Sequence, residues 1–243
     1  MSSRSGKFVF DYHYYPYYPC YPYPHPRFPI RYMIEPIRLY KYCERKYMDS
    51  LLTKGNLRLA PPDDFRNINK YGELTSDEAD GIKTLGGKLR DGENQPAGLQ
   101  GLIKVGENAR NVTFSNIKVI NSDVLIFSTS SEYSEESHRR WFEEEGYDVC
   151  YEILDANAFF AFVSQALGNS YRFLGFSPVI YADVIDIYDP PIHSALVKRR
   201  TKYINQSEVR SLWQVTRGNQ VKVETIPKSN AGTVCRKFRV INP

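Results

Sequence analysis

From Ile37 onward, apolar and polar residues alternate in short runs, interrupted by a few stretches with helical spacing. Ile37-Arg-Leu-Tyr-Lys-Tyr-Cys43 has the two-residue period of a strand. Arg45 to Thr53 carries Tyr47, Met48, Leu51 and Leu52 at helical spacing, and Gly55 follows where a helix C-cap belongs. Leu57–Ala60 is a second short strand, stopped by Pro61-Pro62, and Asp63–Asn67 is a polar loop. Residues 72–111 are rich in Gly, Asp, Glu and Lys and poor in large apolar groups. They are expected to form a long loop or insertion with one short helix around Ser76–Leu85.

Regular order is expected again in strands at Phe114–Ile120 and Val124–Phe127, a helix over Ser134–Glu145 and a strand over Asp148–Leu154. A buried helix over Asn157–Leu167 presents Phe159, Phe160, Phe162, Val163, Ala166 and Leu167. Further strand patterns cover Phe173–Phe176, Val179–Tyr188, Val221–Thr225 and Lys237–Ile241. Many short strands with few helices, and no regular β-α repeat, predict an α+β fold rather than a doubly wound sheet.

Residues 1–33 differ from everything after them. Proline recurs every two or three positions among tyrosines in Tyr14-Tyr-Pro-Tyr-Tyr-Pro-Cys-Tyr-Pro-Tyr-Pro24. That spacing excludes a helix and favours extended polyproline geometry. The segment reads as a Tyr/Pro-rich tail, either loose or laid as a strap on the domain or on a partner. The folded domain is placed at residues 34–243.

Composition narrows the function classes. A chain of 243 residues with 42% hydrophobic content, 13 Phe and 19 Tyr can bury one large core. The net charge of +4 tolerates an acidic partner without requiring one. One basic cluster, Lys198, Arg199, Arg200 and Lys202, fits either a solvated face or a phosphate contact. Four separated cysteines with no C-x-x-C pair and four scattered histidines give no zinc pattern, and Cys43, Cys150 and Cys235, in apolar strand-like runs, are expected as buried thiols. No basic-then-apolar leader and no run of 18 apolar residues occur, so a soluble cytoplasmic protein without a membrane segment is expected. Gly81-Ile-Lys-Thr-Leu-Gly86 is followed by Gly87 instead of the lysine of a phosphate loop. There is no dinucleotide-binding glycine fingerprint after a strand and no hydrolase nucleophile elbow.

Three segments remain: Arg38-Leu-Tyr-Lys-Tyr42, Phe127-Ser-Thr-Ser130 and Tyr203-Ile-Asn-Gln-Ser-Glu-Val-Arg210. Each has a plain reading, as a packed tyrosine strand, a turn and a solvated carboxylate respectively. On a continuous strand, Gln206 and Glu208 would share a face. Taken together and in order, the segments resemble the three motifs of the ADP-ribosyltransferase superfamily. These are a cation on the first strand, Ser-Thr-Ser on a central strand, and a late Glu preceded two residues earlier by Gln or Glu. The resemblance implies a split of two small, mainly antiparallel sheets with flanking helices and a cleft for NAD as substrate. It implies Glu208 as the catalytic carboxylate and Gln206 as the residue that orients the acceptor. It also implies Arg38 and Lys41 at the phosphates, Tyr42 or Tyr203 stacked on nicotinamide, and Ser128, Thr129 and Ser130 along the nicotinamide pocket. Lys41 stands where that superfamily has Arg or His, and lacks their planar geometry.

Residues 37–215 also resemble the bacterial domain of unknown function 2971. The likeness rests on Leu39-Tyr-Lys-Tyr42, on Leu51-Leu-x-x-Gly-x-Leu-x-Leu-Ala-Pro-Pro-Asp-Asp-Phe65, and on Phe127-Ser128. Trp141 before Gly146, Val149-Cys-Tyr-Glu152, Val179-Ile-Tyr181, Tyr203 and Glu208-Val-Arg210 extend it. That family is often associated with defence or mobile elements. The joint expectation is an NAD-dependent transferase of toxin or phage-defence type, acting on a protein or nucleic-acid acceptor. The alternative is a non-catalytic binding module of the same fold, and the Tyr/Pro tail is a further candidate site for a partner.

Overall fold

A six-stranded sheet organises the chain. In the computed structural model, residues 36–90, 96–106, 111–199, 203, 206–216 and 219–242 are described. The Tyr/Pro-rich segment 1–33 lies outside the described residues.

The strands of this sheet are β1 (Leu39–Cys43), β5 (Val124–Ser130), β6 (Val149–Ile153), β7 (Tyr171–Pro178), β11 (Glu208–Val215) and β13 (Cys235–Val240). Their spatial order is β13-β6-β1-β5-β11-β7, and every neighbouring pair is antiparallel. The sheet is tightly laced except at its middle. β5 and β11 pair over seven positions, from Glu208 opposite Ser130 to Gln214 opposite Val124, whereas β1 and β5 pair only at Tyr40 opposite Ser130. That single contact is a seam dividing two three-stranded halves.

One face of the sheet is apolar and packs on helices α1 (Arg45–Lys54) and α4 (Ala156–Leu167). Leu39, Cys43, Leu125, Phe127, Val149, Tyr151, Ile153, Val209 and Trp213 meet Met48, Leu51, Phe159, Phe160 and Val163 there. Trp213 satisfies its buried indole by donating to Ser164 Oγ at 2.8 Å, as an interior Trp must. The opposite face carries Tyr40, Tyr42, Ser128, Ser130, Glu152, Glu208 and Arg210, by the alternation of side chains along each strand. Helix α3 (Glu135–Glu145) covers part of it. A three-stranded sheet stands beside it, with β4 (Thr113–Ile120) and β9 (Ile185–Asp186) on either side of β3 (Ile82–Lys88). Two two-stranded ladders complete the strands, β2 (Leu57–Leu59) with β12 (Glu224–Ile226) and β8 (Ile180–Tyr181) with β10 (Val197–Lys198). Helix α2 (Ile68–Thr75) is kinked at Gly72. The result is a mixed architecture of mainly antiparallel sheets with flanking helices, as the strand-rich pattern predicts. Among the described residues, no helix is long and apolar enough to cross a membrane.

Several stretches differ from expectation, among them the unexpected helix α2 and the strand expected over Val221–Thr225, which is β12 at Glu224–Ile226. The Gly- and charge-rich region holds β3 in place of the helix expected around Ser76–Leu85, because its Ile82–Lys88 segment pairs with β4 and β9. Val179–Tyr188 is broken into two-residue strands that belong to different small sheets. Gly55 acts as the expected cap: its φ of 69° is left-handed, and its N–H donates to Leu51 O at 2.9 Å. A Cβ at this position would strike the Ser229 carbonyl. Gly55→Ala is therefore expected to destabilise the fold by more than about 1 kcal/mol. In a thermal melt, each such unit lowers Tm by about 2–4 °C for a chain of this size.

Candidate functional site

Strand register brings distant residues into one row. Reading across β6, β1, β5 and β11 on the polar face, Glu152, Tyr40, Ser130 and Glu208 stand opposite one another. Ser128 and Arg210 form the neighbouring pair on the same face. The first strand, the Ser-Thr-Ser strand and the Glu strand are thus adjacent, although their residues are up to 168 positions apart in the chain (208 − 40).

Around Glu208 the charges are paired. The Arg210 guanidinium holds Asp80 through two 2.7 Å contacts, donates to Glu208 Oε1 at 2.7 Å and also reaches the Ala195 carbonyl at 2.7 Å. Lys198 Nζ lies 2.9 Å from Glu208 Oε2 and 3.2 Å from Gln206 Oε1. Asp80, Lys198, Glu208 and Arg210 are each at most 6% exposed, and together they carry two positive and two negative charges. Burial alone would raise the Glu208 pKa. Arg210 and Lys198, with the polar Ser128 hydroxyl on the same face, overcome that and hold the carboxyl well below the usual carboxylate range. The Tyr181 hydroxyl accepts from the Glu208 N–H at 3.1 Å, fixing the start of β11.

The other expected site residues divide by position. Gln206 lies before β11 instead of on it, because Ser207 takes a left-handed φ of 45°. Its side chain nonetheless meets Glu208 through their shared contact with Lys198, while its amide donates to Leu74 O at 3.0 Å. Tyr203 is buried beside this cluster, with Lys198 Nζ 4.4 Å from its ring centroid, and its hydroxyl donates to Ser76 O at 2.5 Å. Ser130 Oγ lies 2.7 Å from Glu132 O and 3.2 Å from Gln206 O.

Lys41, Thr129, Tyr42 and Arg38 are not gathered around Glu208. Lys41 alternates with Tyr40 and Tyr42, so it leaves β1 on the face of Leu39 and Cys43. Its ammonium donates to Ser128 O at 2.7 Å across the seam and lies 5.2 Å from the Phe127 ring centroid. Burial lowers its pKa. Thr129 also faces the core and donates to Val209 O. Tyr42 is on the polar face, but its ring packs near His138 and Trp141 and its hydroxyl accepts from Ser134 N at 3.0 Å. Arg38 is on the polar face at the far side of the row, paired with Glu152. The cations that do stand beside Glu208 are Lys198 and Arg210, not the β1 residues expected at the phosphates.

No protein-family model matches the chain, and no curated protein and no solved structure matches it.

Three members of the cluster were missed as site residues. Arg210 was legible, since it follows Glu208 by two residues and so shares its face. Lys198 stood out only as part of a basic run, whose next member, Arg199, pairs with Asp77 at 3.2 Å. Asp80 carried no signal, because its position depends on the unexpected β3. Among the described residues, no group of His, Cys, Asp and Glu could hold a metal ion. Cys43 and Cys150 are buried free thiols, as expected, and burial pushes both up to about 12, whereas Cys235 at the start of the edge strand β13 is only partly buried.

Proposed function

We propose that this chain is an NAD-dependent ADP-ribosyltransferase whose reacting carboxylate is Glu208. The observation that supports this reading is the row Tyr40, Ser130, Glu208, which sets the three motif-bearing strands side by side with these three residues on one face. The seam between β1 and β5 also suits a sheet split into two halves around a ligand. In this reaction the bond between ribose C1′ and the nicotinamide nitrogen breaks, and neutral nicotinamide leaves with the bonding electrons. An acceptor nucleophile then forms a new bond to C1′. Glu208, already ionised, accepts a hydrogen bond from a ribose hydroxyl and stabilises the cationic sugar. Ser128 supports the strand beside the carboxylate, and Gln206, which shares Lys198 with Glu208, orients the acceptor.

A second reading, the non-catalytic binding module, is favoured by one feature. Both Glu208 oxygens already face cations, Arg210 at 2.7 Å and Lys198 at 2.9 Å. A sugar cation must displace the Lys198 ammonium to use Oε2. Incubating the purified chain with NAD and following free nicotinamide, alone and with cell lysate, separates the readings. Release above the uncatalysed rate supports the transferase. No release, with no NAD binding at millimolar concentration, leaves the binding module.

A further inference from the structure

A second surface lies on the same face, at the other side of the seam. Arg236 on β13 stands opposite Glu152, which stands opposite Tyr40. The Glu152 carboxylate is 1% exposed and is held from outside by two guanidiniums, Arg38 at 3.3 Å and Arg236 at 2.6 Å. Those two arginine side chains remain 58% and 55% exposed. Each uses one nitrogen on the shared carboxylate, so most of both forks points to water. One carboxylate under two guanidiniums leaves an excess positive charge at the surface.

A bulge adds to this charge. The register of β13 on β6 shifts between Lys237 and Arg239, which places Arg239 opposite Cys150. Cys150 and Glu152 share a face, so Arg236 and Arg239 emerge together although they are three residues apart. Phe238 sits between them, with the Arg239 guanidinium 5.4 Å from its ring centroid. The same ring lies 5.2 Å from that of Tyr40 and 5.1 Å from that of Tyr133. All three rings are half-buried. Beyond Tyr133, an open groove of about 610 Å³ continues between α3 and the end of β13, with Arg139 and Arg239 on its walls. Glu135 and Glu143 also line this groove, and Arg139 pairs with Glu135 at 3.4 Å, so the excess positive charge lies on the β1 and β13 side.

We propose that this shelf binds single-stranded nucleic acid, with Arg38, Arg236 and Arg239 on the phosphates and Phe238, Tyr40 and Tyr133 as the platform for bases. Exposed guanidinium forks set between aromatic rings match the phosphate-and-base repeat of a single strand. A duplex keeps its base faces stacked and offers nothing to the rings. The shelf's β13 edge lies four strands from Glu208, about 19 Å at ordinary strand spacing, and its inner ring, Tyr40 on β1, two strands away, about 10 Å. The binding claim stands apart from the transferase reading; only a role for the strand as acceptor rests on it.

The test is fluorescence anisotropy of the full chain with a dye-labelled, single-stranded DNA of roughly 16 nucleotides, without NAD. Binding should weaken steeply from about 50 to about 200 mM salt. The double variant Arg236→Gln with Arg239→Gln should flatten the log–log salt slope by about 1.4, at about 0.7 per lost phosphate contact. Phe238→Leu should weaken binding about 5- to 150-fold, the range for one stacked base. Lys54→Gln, at the end of α1 on the other side of the sheet, should change neither, and thermal melts check that each variant folds. Three results would overturn the proposal: no binding at about 50 mM salt, the same affinity and slope in both shelf variants, or displacement by ADP as effective as by unlabelled strand. The last would mark a mononucleotide pocket. Because NAD is absent, failure here leaves the nicotinamide-release result untouched.

Discussion

Replacing Arg210 with methionine is expected to lower the free energy of unfolding by about 3–5 kcal/mol, the range for breaking a buried ion pair from one side. Methionine keeps much of the volume but strands Asp80, which has both oxygens on the guanidinium, and leaves Glu208 with Lys198 alone. Both carboxylates are buried, so water cannot replace the lost partner. Urea unfolding of both proteins at neutral pH measures the difference. The pH profile supplies a second readout. In the wild type, the Glu208 pKa is held below its unfolded value of about 4.3. Its contribution is therefore fully present above that pH and is lost as pH falls toward the lower folded value. Without Arg210 the folded value rises toward the unfolded one, so the stability that Glu208 contributes above that pH, and its loss on acidification, should both shrink. A variant as stable as the wild type at neutral pH, with the same dependence on acid, would show that the cluster adds nothing to the fold.

Glu208→Gln carries the largest expected effect on chemistry. Glutamine is nearly isosteric and can still accept hydrogen bonds, but it offers no charge to a cationic sugar. Nicotinamide release is expected to fall about 10²–10³-fold, the usual cost of removing one group that stabilises developing charge. The substitution also leaves the buried cluster with one excess positive charge, so a melt must accompany the kinetics. Lost activity in a folded variant points to Glu208 itself. Lost activity in an unfolded one would show only that the cluster holds β11 in place.

Much of this site could be read from the chain because strands declare their faces. Glu208 and Arg210 are two residues apart on β11, and their shared face follows from the period alone. The same rule, applied strictly to β1, places Lys41 with apolar Leu39 and Cys43, where it is found. It was motif position, not parity, that assigned Lys41 to the phosphates. Gln206 shows the opposite limit: its spacing from Glu208 implies a common strand face, but Ser207 turns left-handed before the strand begins. Nothing in the local sequence announces that turn. Asp80 was out of reach for a different reason. It joins the cluster from a stretch whose composition reads as loop, and its place depends on β3 pairing with β4, more than 20 residues later. The bulge in β13 was equally silent, since a register shift belongs to two strands at once.

The transferase reading turns on one comparison: the time course of nicotinamide release from NAD by the wild-type chain and by Glu208→Gln, both confirmed as folded. Release by the wild type is expected above the uncatalysed rate, with a fall of about 10²–10³-fold in the variant. Equal release by the two proteins would contradict the assignment of Glu208, and no release by either would contradict the transferase.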